Sequence, residues 1–379
     1  MTADPIYLDH NATTPIHPEV VEAMLPFLRE HFGNPSSGHV YGAGAKGAVD
    51  RARGQVAALL GAEPDEIVFT SGGTEANNLA IRGVAALSAR RHLVTTTVEH
   101  PATAEPCSYL ARHGFELTRL LVNDQGQVRA ADAQAFIRGD TALVTVMLAQ
   151  NETGTIMPIA EMASLAHARG ALMHTDAAQA VGKIATRVGE LGVDLLSVAG
   201  HKLYAPKGVG VLYVRRGTKI APLVLGAGHE RGLRPGTENV PYIVGLGQAC
   251  ELARRDLDTE PARQRALRDD LWQRLQEALP KLRRNGHPTE CLPNTLNVSF
   301  PGTSGSAVLR AAPEVAASTG SACHEGGERA SAVLLAMGIE AGVALGAIRL
   351  SVGRSTNREQ IAAAATALIA AHRKLTDQR

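Results

Sequence analysis

The sequence predicts an α/β fold, with a mostly parallel central sheet flanked by helices in a large domain and a smaller α+β domain. From residue 65 onward, strand-like runs alternate with helical stretches, which is typical of parallel strands joined by crossover helices. The runs at 141–149 and 195–199 are almost wholly apolar, as expected of strands covered on both faces. The 379 residues exceed the roughly 250–300 at which one core stops growing, so a second domain is expected.

The elements of the predicted sheet can be taken in chain order. Before the apolar run at 195–199, the strand-like segments are EIVFTSG, HLVTTTVEH, FELTRLLV, TALVTVMLA and ALMHTDAAQ. Helical stretches are predicted at 74–87, at 159–169 and, rich in charge, at 248–284. In the last helix, Asn357 and Gln360 have the spacing of a capping box.

The charge-rich stretch ends the alternation, and LPNTLNVSF then begins a new unit. We therefore predict a large domain at 16–250 and a small domain formed by 1–15 and 251–379.

Composition argues against several classes of partner. There are 38 basic and 37 acidic residues, so no global field favours nucleic acid or an anionic membrane. No apolar run approaches the roughly 18 residues of a membrane span, and the first residues do not form a secretion signal. The four cysteines are far apart without a C-x-x-C pair, so we expect no metal site and a reducing, cytoplasmic location.

Two glycine-rich segments suggest phosphate binding. Gly42, Gly44 and Gly47 form a literal G-x-G-x-x-G, which would indicate an NAD-dependent dehydrogenase, but a polar loop rather than a strand precedes it. In IVFTSGGTEANNLAI a strand does lead into Ser71-Gly72-Gly73, and a helix opens at Thr74, which directs free backbone N–H groups at an anion. A tight turn without a ligand is the alternative.

A lysine and an aspartate stand at the ends of buried strands. In LLSVAGHKLYAPKGVGVLY, Lys202 follows an apolar run, where an ammonium needs a partner unless it points into water. In LMHTDAAQAVGK, Asp176 ends another such run, although a helix N-cap would also explain it. With the anion turn, they match the needs of pyridoxal phosphate: a Schiff-base lysine, a carboxylate for the ring nitrogen and a phosphate site. Lys207 is the rival lysine, but it follows Pro206 in a turn.

Several segments together resemble the cysteine desulfurases, which are fold-type I pyridoxal-phosphate enzymes of the class V aminotransferase superfamily. The likeness runs from Tyr7 to about residue 356 and rests on YLDHNATTP, FGNPSSGH, FTSGGTEANNLAI, VEHPA, NETGTIMPI, HTDAAQAVGK, GHKLYAPKGVGVLYVRRG, GHERGLRPGTEN and STGSAC. It implies conversion of L-cysteine to L-alanine, with sulfur passed to an enzyme cysteine and then to an acceptor protein.

The resemblance also implies roles for individual residues. Lys202 would hold the cofactor, His100 would stack on its ring, and Asp176 would pair with the ring nitrogen. The residues implied on the ring hydroxyl side are Asn151 and Gln179. Those implied for the phosphate are Gly73, Thr74, His201 and, from the second subunit of a homodimer, Thr237. Those implied for the substrate carboxylate are Asn34 and Arg349.

The implied nucleophile is Cys323 in STGSACHEGGERASAVLLAMG, where the flanking residues are polar and glycine-rich. A small buried apolar residue is the other interpretation of a lone cysteine, and we prefer it for Cys107, Cys250 and Cys291.

The sequence departs from the family pattern at two places. Ala199 stands where some relatives carry a hydroxyl that contacts phosphate, and the stretch after Cys323 lacks the Ser/Thr-rich composition of sulfur-supplying members. ACH, VLL, HTDAAQ and RPGTEN also resemble selenocysteine lyases, which release selenium and L-alanine, so that activity is the alternative. A catalytically silent dimeric scaffold is a further one, disfavoured by the intact set of Lys202, Asp176, His100 and Cys323.

Overall fold

A computed structural model describes residues 4–319 and 329–377. In these ranges the strands are β1 Ile6–Tyr7, β2 Ile67–Thr70, β3 His92–Thr96, β4 Glu116–Leu120, β5 Thr141–Thr145, β6 Leu172–Asp176, β7 Leu195–Ala199, β8 Gly210–Val214, β9 Arg283–Asn285, β10 Thr295–Ser299, β11 Val315–Ala316 and β12 Ala347–Ser351. The helices are α1 Pro18–Arg29, α2 Val40–Leu60, α3 Gly73–Leu87, α4 Pro101–Ala111, α5 Ala130–Ala133, α6 Ile159–Ala168, α7 Val188–Leu191, α8 Val240–Asp256, α9 Glu260–Ala278, α10 Gly305–Ala311, α11 Ala332–Ala336, α12 Ala341–Leu345 and α13 Arg358–Thr376.

The larger sheet has seven strands in the order β2-β8-β7-β6-β5-β3-β4. Only β8 runs antiparallel to its neighbours, so the predicted mostly parallel sheet is confirmed. Because β5, β6 and β7 are parallel, their carboxyl ends meet at one edge. Ligands of open α/β sheets bind at that edge.

Helices cover both faces of this sheet, which explains the apolar strands. Successive strand residues point to opposite faces. Leu195 packs in one buried cluster with α3 and α4, whereas Leu196 packs in another with α2, α6 and α8. Leu143 and Val144 divide between the same two clusters.

A second sheet forms in the C-terminal part of the chain, in the order β12-β10-β9, with antiparallel pairing throughout. Its core includes side chains of α9, α10 and α13. The N-terminal strand β1 pairs in parallel with β11, and Leu8 is buried in this same core. The division of the chain near residue 250 stays a prediction.

The predicted helix over 248–284 is wrong as one element. The stretch belongs to two helices, α8 and α9, and Arg283 and Arg284 lie in β9. Pro261, which has no N–H to donate, stands in the first turn of α9, a position that favours the start of a new helix. The capping box of Asn357 and Gln360 on α13 is confirmed.

The three glycines of the literal G-x-G-x-x-G lie inside α2 rather than in a turn between a strand and a helix. This placement removes the basis for a dinucleotide-binding loop there. Among the described residues, no helix has the length and apolar character needed to span a bilayer.

Candidate active site

A cavity of about 330 Å³ opens at the carboxyl edge of the large sheet. Its walls come from the ends of β6 and β7, the loop after β5, the starts of α3 and α4, and the segment after β1. The lining includes these predicted site residues: Gly73, Thr74, His100, Asn151, Asp176, Gln179, His201, Lys202 and Arg349.

Lys202 is the lysine that faces this cavity. It lies in a 3₁₀ turn directly after β7, and its Nζ donates to the backbone oxygens of Asn11 and Ala12, both at 2.6 Å. Burial lowers its pKa to about 8, so its neutral form is accessible near physiological pH. The rival Lys207 is exposed and is not among the residues that line the cavity.

Asp176 ends β6 and points into the cavity. Its Oδ1 accepts a hydrogen bond from the backbone N–H of Ala178 at 2.9 Å, and its Oδ2 accepts one from Asn77 Nδ2 at 2.6 Å. The carboxylate is thus held by two donors and lies within the electrostatic reach of Lys202. The carboxylate is thereby placed to accept a hydrogen bond from the protonated pyridine nitrogen of a cofactor bound in the cavity.

His100 is the N-cap of α4, with its Nδ1 accepting from the backbone N–H of Ala102 at 3.0 Å. In the neutral ring, the proton therefore sits on Nε2. Burial lowers the pKa of His100, and the charge of Lys202 lowers it further. The cap fixes one edge of the ring and leaves the ring on the cavity wall.

In the predicted anion turn, two backbone N–H groups are already hydrogen-bonded to side chains of the protein. The N–H of Ser71 binds Glu75 Oε2 at 2.7 Å, and the N–H of Gly72 binds Thr70 Oγ1 at 3.4 Å. Gly73 and Thr74 begin α3 at the cavity wall, where the helix N-terminus favours an anion.

Ala199, the position that departs from the family pattern, also lines the cavity and lies close to this turn. A Cβ built on Gly73 would come within 3.2 Å of Ala199 Cβ. Because Gly73 has no side chain, the start of α3 can approach the end of β7 this closely.

His201 and Arg349 are held by neighbouring groups. His201 Nδ1 lies 3.1 Å from Thr13 Oγ1, and burial lowers its pKa to about 4, which keeps the ring neutral. Arg349 donates to Asp9 Oδ1 at 2.8 Å and to the backbone oxygen of Asn151 at 3.1 Å. Its buried Nε has no hydrogen-bond partner within residues 4–319 and 329–377.

Three predicted site residues are not part of this wall. Asn34 is exposed in the loop after α1, where its Oδ1 accepts from the N–H of Ser36. Thr237 is exposed in the loop before α8. Cys323 lies outside the described residues.

Two asparagines that the sequence interpretation left without a role are central here. Asn77 stands three residues after Thr74 on α3, and that helical spacing could have indicated it. Asn11 donates from Nδ2 to Thr295 Oγ1 at 2.8 Å and accepts at Oδ1 from Asn294 Nδ2 at 3.0 Å. Its position depends on pairing with strands almost three hundred residues away, which no local signal reveals.

The donor set fits an aromatic aldehyde phosphate. An amine with a lowered pKa and a carboxylate line the same cavity, and the start of a helix at its wall favours an anion. Two buried atoms, Asn77 Oδ1 and Arg349 Nε, remain without partners in the described part of the chain. Within the same part, no cluster of three or more His, Cys, Asp or Glu side chains could hold a metal ion.

Comparison with known proteins identifies the same family that the sequence motifs resemble. The family model for class-V aminotransferases matches residues 6–363. Cysteine desulfurase 2 of Trichormus variabilis is 48% identical over 359 residues, which cover 94% of this chain and 90% of that protein.

Two solved structures are similar over most of the chain. A NifS-like protein superposes with a TM-score of 0.91 at 36% identity, covering 98% of this chain and 100% of that one. The structure described as SspA in complex with cysteine has a TM-score of 0.80 at 36% identity, covering 91% of this chain and 98% of that one.

Proposed function

We propose that the 330 Å³ cavity is the place where this chain breaks the C–S bond of L-cysteine. The chain belongs to the class-V aminotransferase family and is a pyridoxal-phosphate-dependent cysteine desulfurase. The observation that carries this assignment is the Lys202 amine, which lies 2.6 Å from two backbone oxygens in a cavity that Asp176 also lines.

In this proposal Lys202 binds the cofactor and moves the substrate proton. Pyridoxal phosphate supplies an aldehyde that joins amines covalently and a ring that withdraws electrons. A lysine amine with a pKa of about 8 can take a proton from the substrate Cα and return one. Asp176 would keep the ring nitrogen protonated, and two donors, Asn77 Nδ2 and the N–H of Ala178, hold its carboxylate in place.

The other cavity residues orient the cofactor and the substrate. His100, held by its cap, would stack on the ring, and Asn151 and Gln179 would contact its hydroxyl side. Gly73, Thr74 and His201 would bind the phosphate. The substrate carboxylate would bind Arg349, whose buried Nε has no partner in the described part of the chain. Asn34, which lies outside the cavity wall in the single chain, is proposed as its second partner.

Cys323 is the proposed sulfur acceptor. Its thiolate attacks the sulfur of the bound cysteine, so that an S–S bond forms while the C–S bond breaks and its electron pair goes to carbon. Protonation of that carbon leaves L-alanine, and the sulfur remains on Cys323 as a persulfide. A thiol of an acceptor protein then removes it.

A homodimer is part of the proposal, since Thr237 is to reach the phosphate of a second subunit. The exposed rings of Phe32 and Tyr41, whose centroids lie 5.5 Å apart, support this arrangement, because contiguous exposed apolar patches commonly mark interfaces. Phe32 is 80% and Leu225 is 84% exposed in the single chain.

The three described cysteines are buried free thiols, which suits the proposed cytoplasmic location.

Product analysis tests the assignment. Under reducing conditions, the wild type releases equimolar L-alanine and sulfide from L-cysteine, and borohydride reduction fixes the cofactor on Lys202. Cys323→Ala loses cysteine desulfuration by a factor of about 100 or more, because the nucleophile is absent. Cys250→Ala, which changes a buried thiol in α8, is the matched control and keeps full activity.

The same assay with L-selenocysteine separates the alternative activity. A selenocysteine lyase would turn over selenocysteine far better than cysteine and would tolerate Cys323→Ala. Full cysteine desulfuration by that variant would rule out Cys323 as the nucleophile.

A further inference from the structure

A second lysine lies beneath the cavity wall. The Lys183 residue is only 7% exposed, and its Nζ donates a hydrogen bond to Gln179 Oε1 at 3.2 Å. No carboxylate in the described part of the chain forms an ion pair with it. Burial lowers the pKa of Lys183 to about 7, and the charge of Lys202 contributes. An ammonium without a counter-ion is costly inside a protein, so packing alone does not explain a lysine here.

Gln179 connects Lys183 to the cofactor lysine. Its Nε2 donates to the backbone oxygen of Asn11 at 2.9 Å. The same oxygen accepts from Lys202 Nζ at 2.6 Å. One carbonyl therefore receives two donors, and a continuous chain of hydrogen bonds runs from Lys183 to Lys202.

The chemistry of Lys183 decides which way the Gln179 amide faces. An amide has a donor end and an acceptor end, whereas an ammonium can only donate. With Lys183 beside it, Gln179 must turn Oε1 toward the ammonium, and Nε2 then faces Asn11. The reverse orientation would bring the amide oxygen against the Asn11 oxygen and the NH₂ group against the ammonium.

We propose that Lys183 is a positioning residue for Lys202: as an ammonium, it fixes Gln179 in the orientation that lets Gln179 and Lys202 share the backbone oxygen of Asn11. The inference rests on the proposed function, in which Lys202 binds the cofactor. The placement of the Lys202 amine can nevertheless be tested independently of that function, because the hydrogen bonds involved join protein groups only.

The charged surroundings of Lys183 favour loss of its proton. The groups that act on it or share its small neighbouring cavity of about 20 Å³ are His10, His17, His201, Lys202, Tyr204, Glu260, Arg349 and Arg354. Glu260 is already paired with Arg263 at 2.7 Å, so it does not neutralise Lys183. The positioning effect is therefore strongest below about pH 7, where Lys183 is an ammonium.

Lysine labelling in the cofactor-free protein tests the placement. Reductive methylation at pH 6.5, followed by peptide mass spectrometry, gives the reactivity of Lys202 relative to the exposed Lys207 as an internal reference. Removing the Lys183 charge also favours the ammonium form of Lys202, so each labelling rate is divided by the fraction of neutral Lys202 amine, obtained from the pH dependence of labelling in the same variant. We expect Lys183→Met to raise this corrected ratio about fivefold, the factor that one hydrogen bond is commonly worth. Pyridoxal phosphate capture should slow by a similar factor, because the loosened amine is misaligned. Lys183→Arg keeps a charged hydrogen-bond donor, and the small cavity beside position 183 gives its larger side chain some space. This variant should therefore give the wild-type labelling ratio and the wild-type capture rate.

A double variant provides the control. Gln179→Leu should reproduce the labelling change of Lys183→Met, and adding Lys183→Met to it should change nothing more. A ratio equal to wild type in Lys183→Met, or full additivity in the double variant, would overturn the proposal. A melting temperature equal to wild type excludes general loosening. If borohydride fixes no cofactor on Lys202 in the wild type, the proposed function fails while the labelling result still decides the role of Lys183.

Discussion

At the residue scale, the strand-end positions were predictable and their partners were not. Lys202 and Asp176 follow apolar runs, and the carboxyl ends of parallel strands meet at one edge, so the sequence indicated both. Asn11, which accepts from Lys202 and Gln179, stands in a short segment whose place is set by contacts with β10 and β12. Contacts of such long range leave no periodic signal in the chain.

The depressed pKa of Lys202 predicts how cofactor capture depends on pH. Only the neutral amine attacks an aldehyde, and burial places the pKa of Lys202 at about 8 rather than the usual 10.5. The rate at which cofactor-free protein takes up pyridoxal phosphate should therefore rise through pH 8 and then level. Absorbance stopped-flow between pH 6.5 and 10 measures this rate. A rate that still rises steeply between pH 9 and pH 10, as for a free lysine, would contradict the assignment.

At the scale of elements, the sequence predicted whether a segment is a helix or a strand better than it predicted the residues at which the segment begins and ends. The predicted helix at 74–87 begins one residue earlier, at Gly73, and the helix at 159–169 ends at Ala168. The helical stretch at 248–284 is interrupted twice, by the turn before Pro261 and again after Ala278, where α9 ends before β9. Proline is strongly disfavoured inside a helix and favoured in its first turn, so Pro261 was a signal in the sequence for the first of these breaks.

One loop shows how a long-range ion pair holds a strained element. Glu230 and Arg231 both have left-handed φ angles, of 48° and 58°, in the loop that leads to Thr237. Glu230 is buried and accepts from Arg53 of α2 through both of its oxygens, at 2.6 and 2.8 Å, and from the N–H of Phe69 at 3.0 Å.

Removing that buried partner should destabilise the protein. Glu230→Ala leaves Arg53 without its carboxylate, and breaking a buried pair commonly costs about 3–5 kcal/mol. Asp50→Ala breaks the exposed pair with Lys46 on the same helix and should cost at most about 1 kcal/mol. Urea unfolding followed by circular dichroism compares the two. Equal shifts in the two variants would mean that the Glu230 pair adds no more than an exposed one.

At the scale of the whole molecule, the cavity is closed by contacts between distant parts of the chain. The segment after β1 brings Asp9 to Arg349 of β12 and Asn11 to Lys202 after β7. The sequence predicted the parallel sheet from apolar strands, yet the antiparallel insertion of β8 between β2 and β7 was not predictable. Strand order depends on which edges pair, and the apolar pattern of β8 is the same in either direction.

The proposed dimer would cover a set of apolar side chains that the single chain exposes on α1, in the loop after α1, at the start of α2 and in the loop before α8. These are Leu28, Phe32, Val40, Tyr41, Val224 and Leu225. Phe32→Asp combined with Leu225→Asp should yield a monomer that retains pyridoxal phosphate poorly, since Thr237 could no longer reach a second subunit. Phe136→Asp changes an exposed phenyl group that is 50% accessible on another segment and should leave a cofactor-loaded dimer. Sedimentation velocity and cofactor absorbance give both readings, and a wild-type monomer with full cofactor content would disprove the role of Thr237 across subunits.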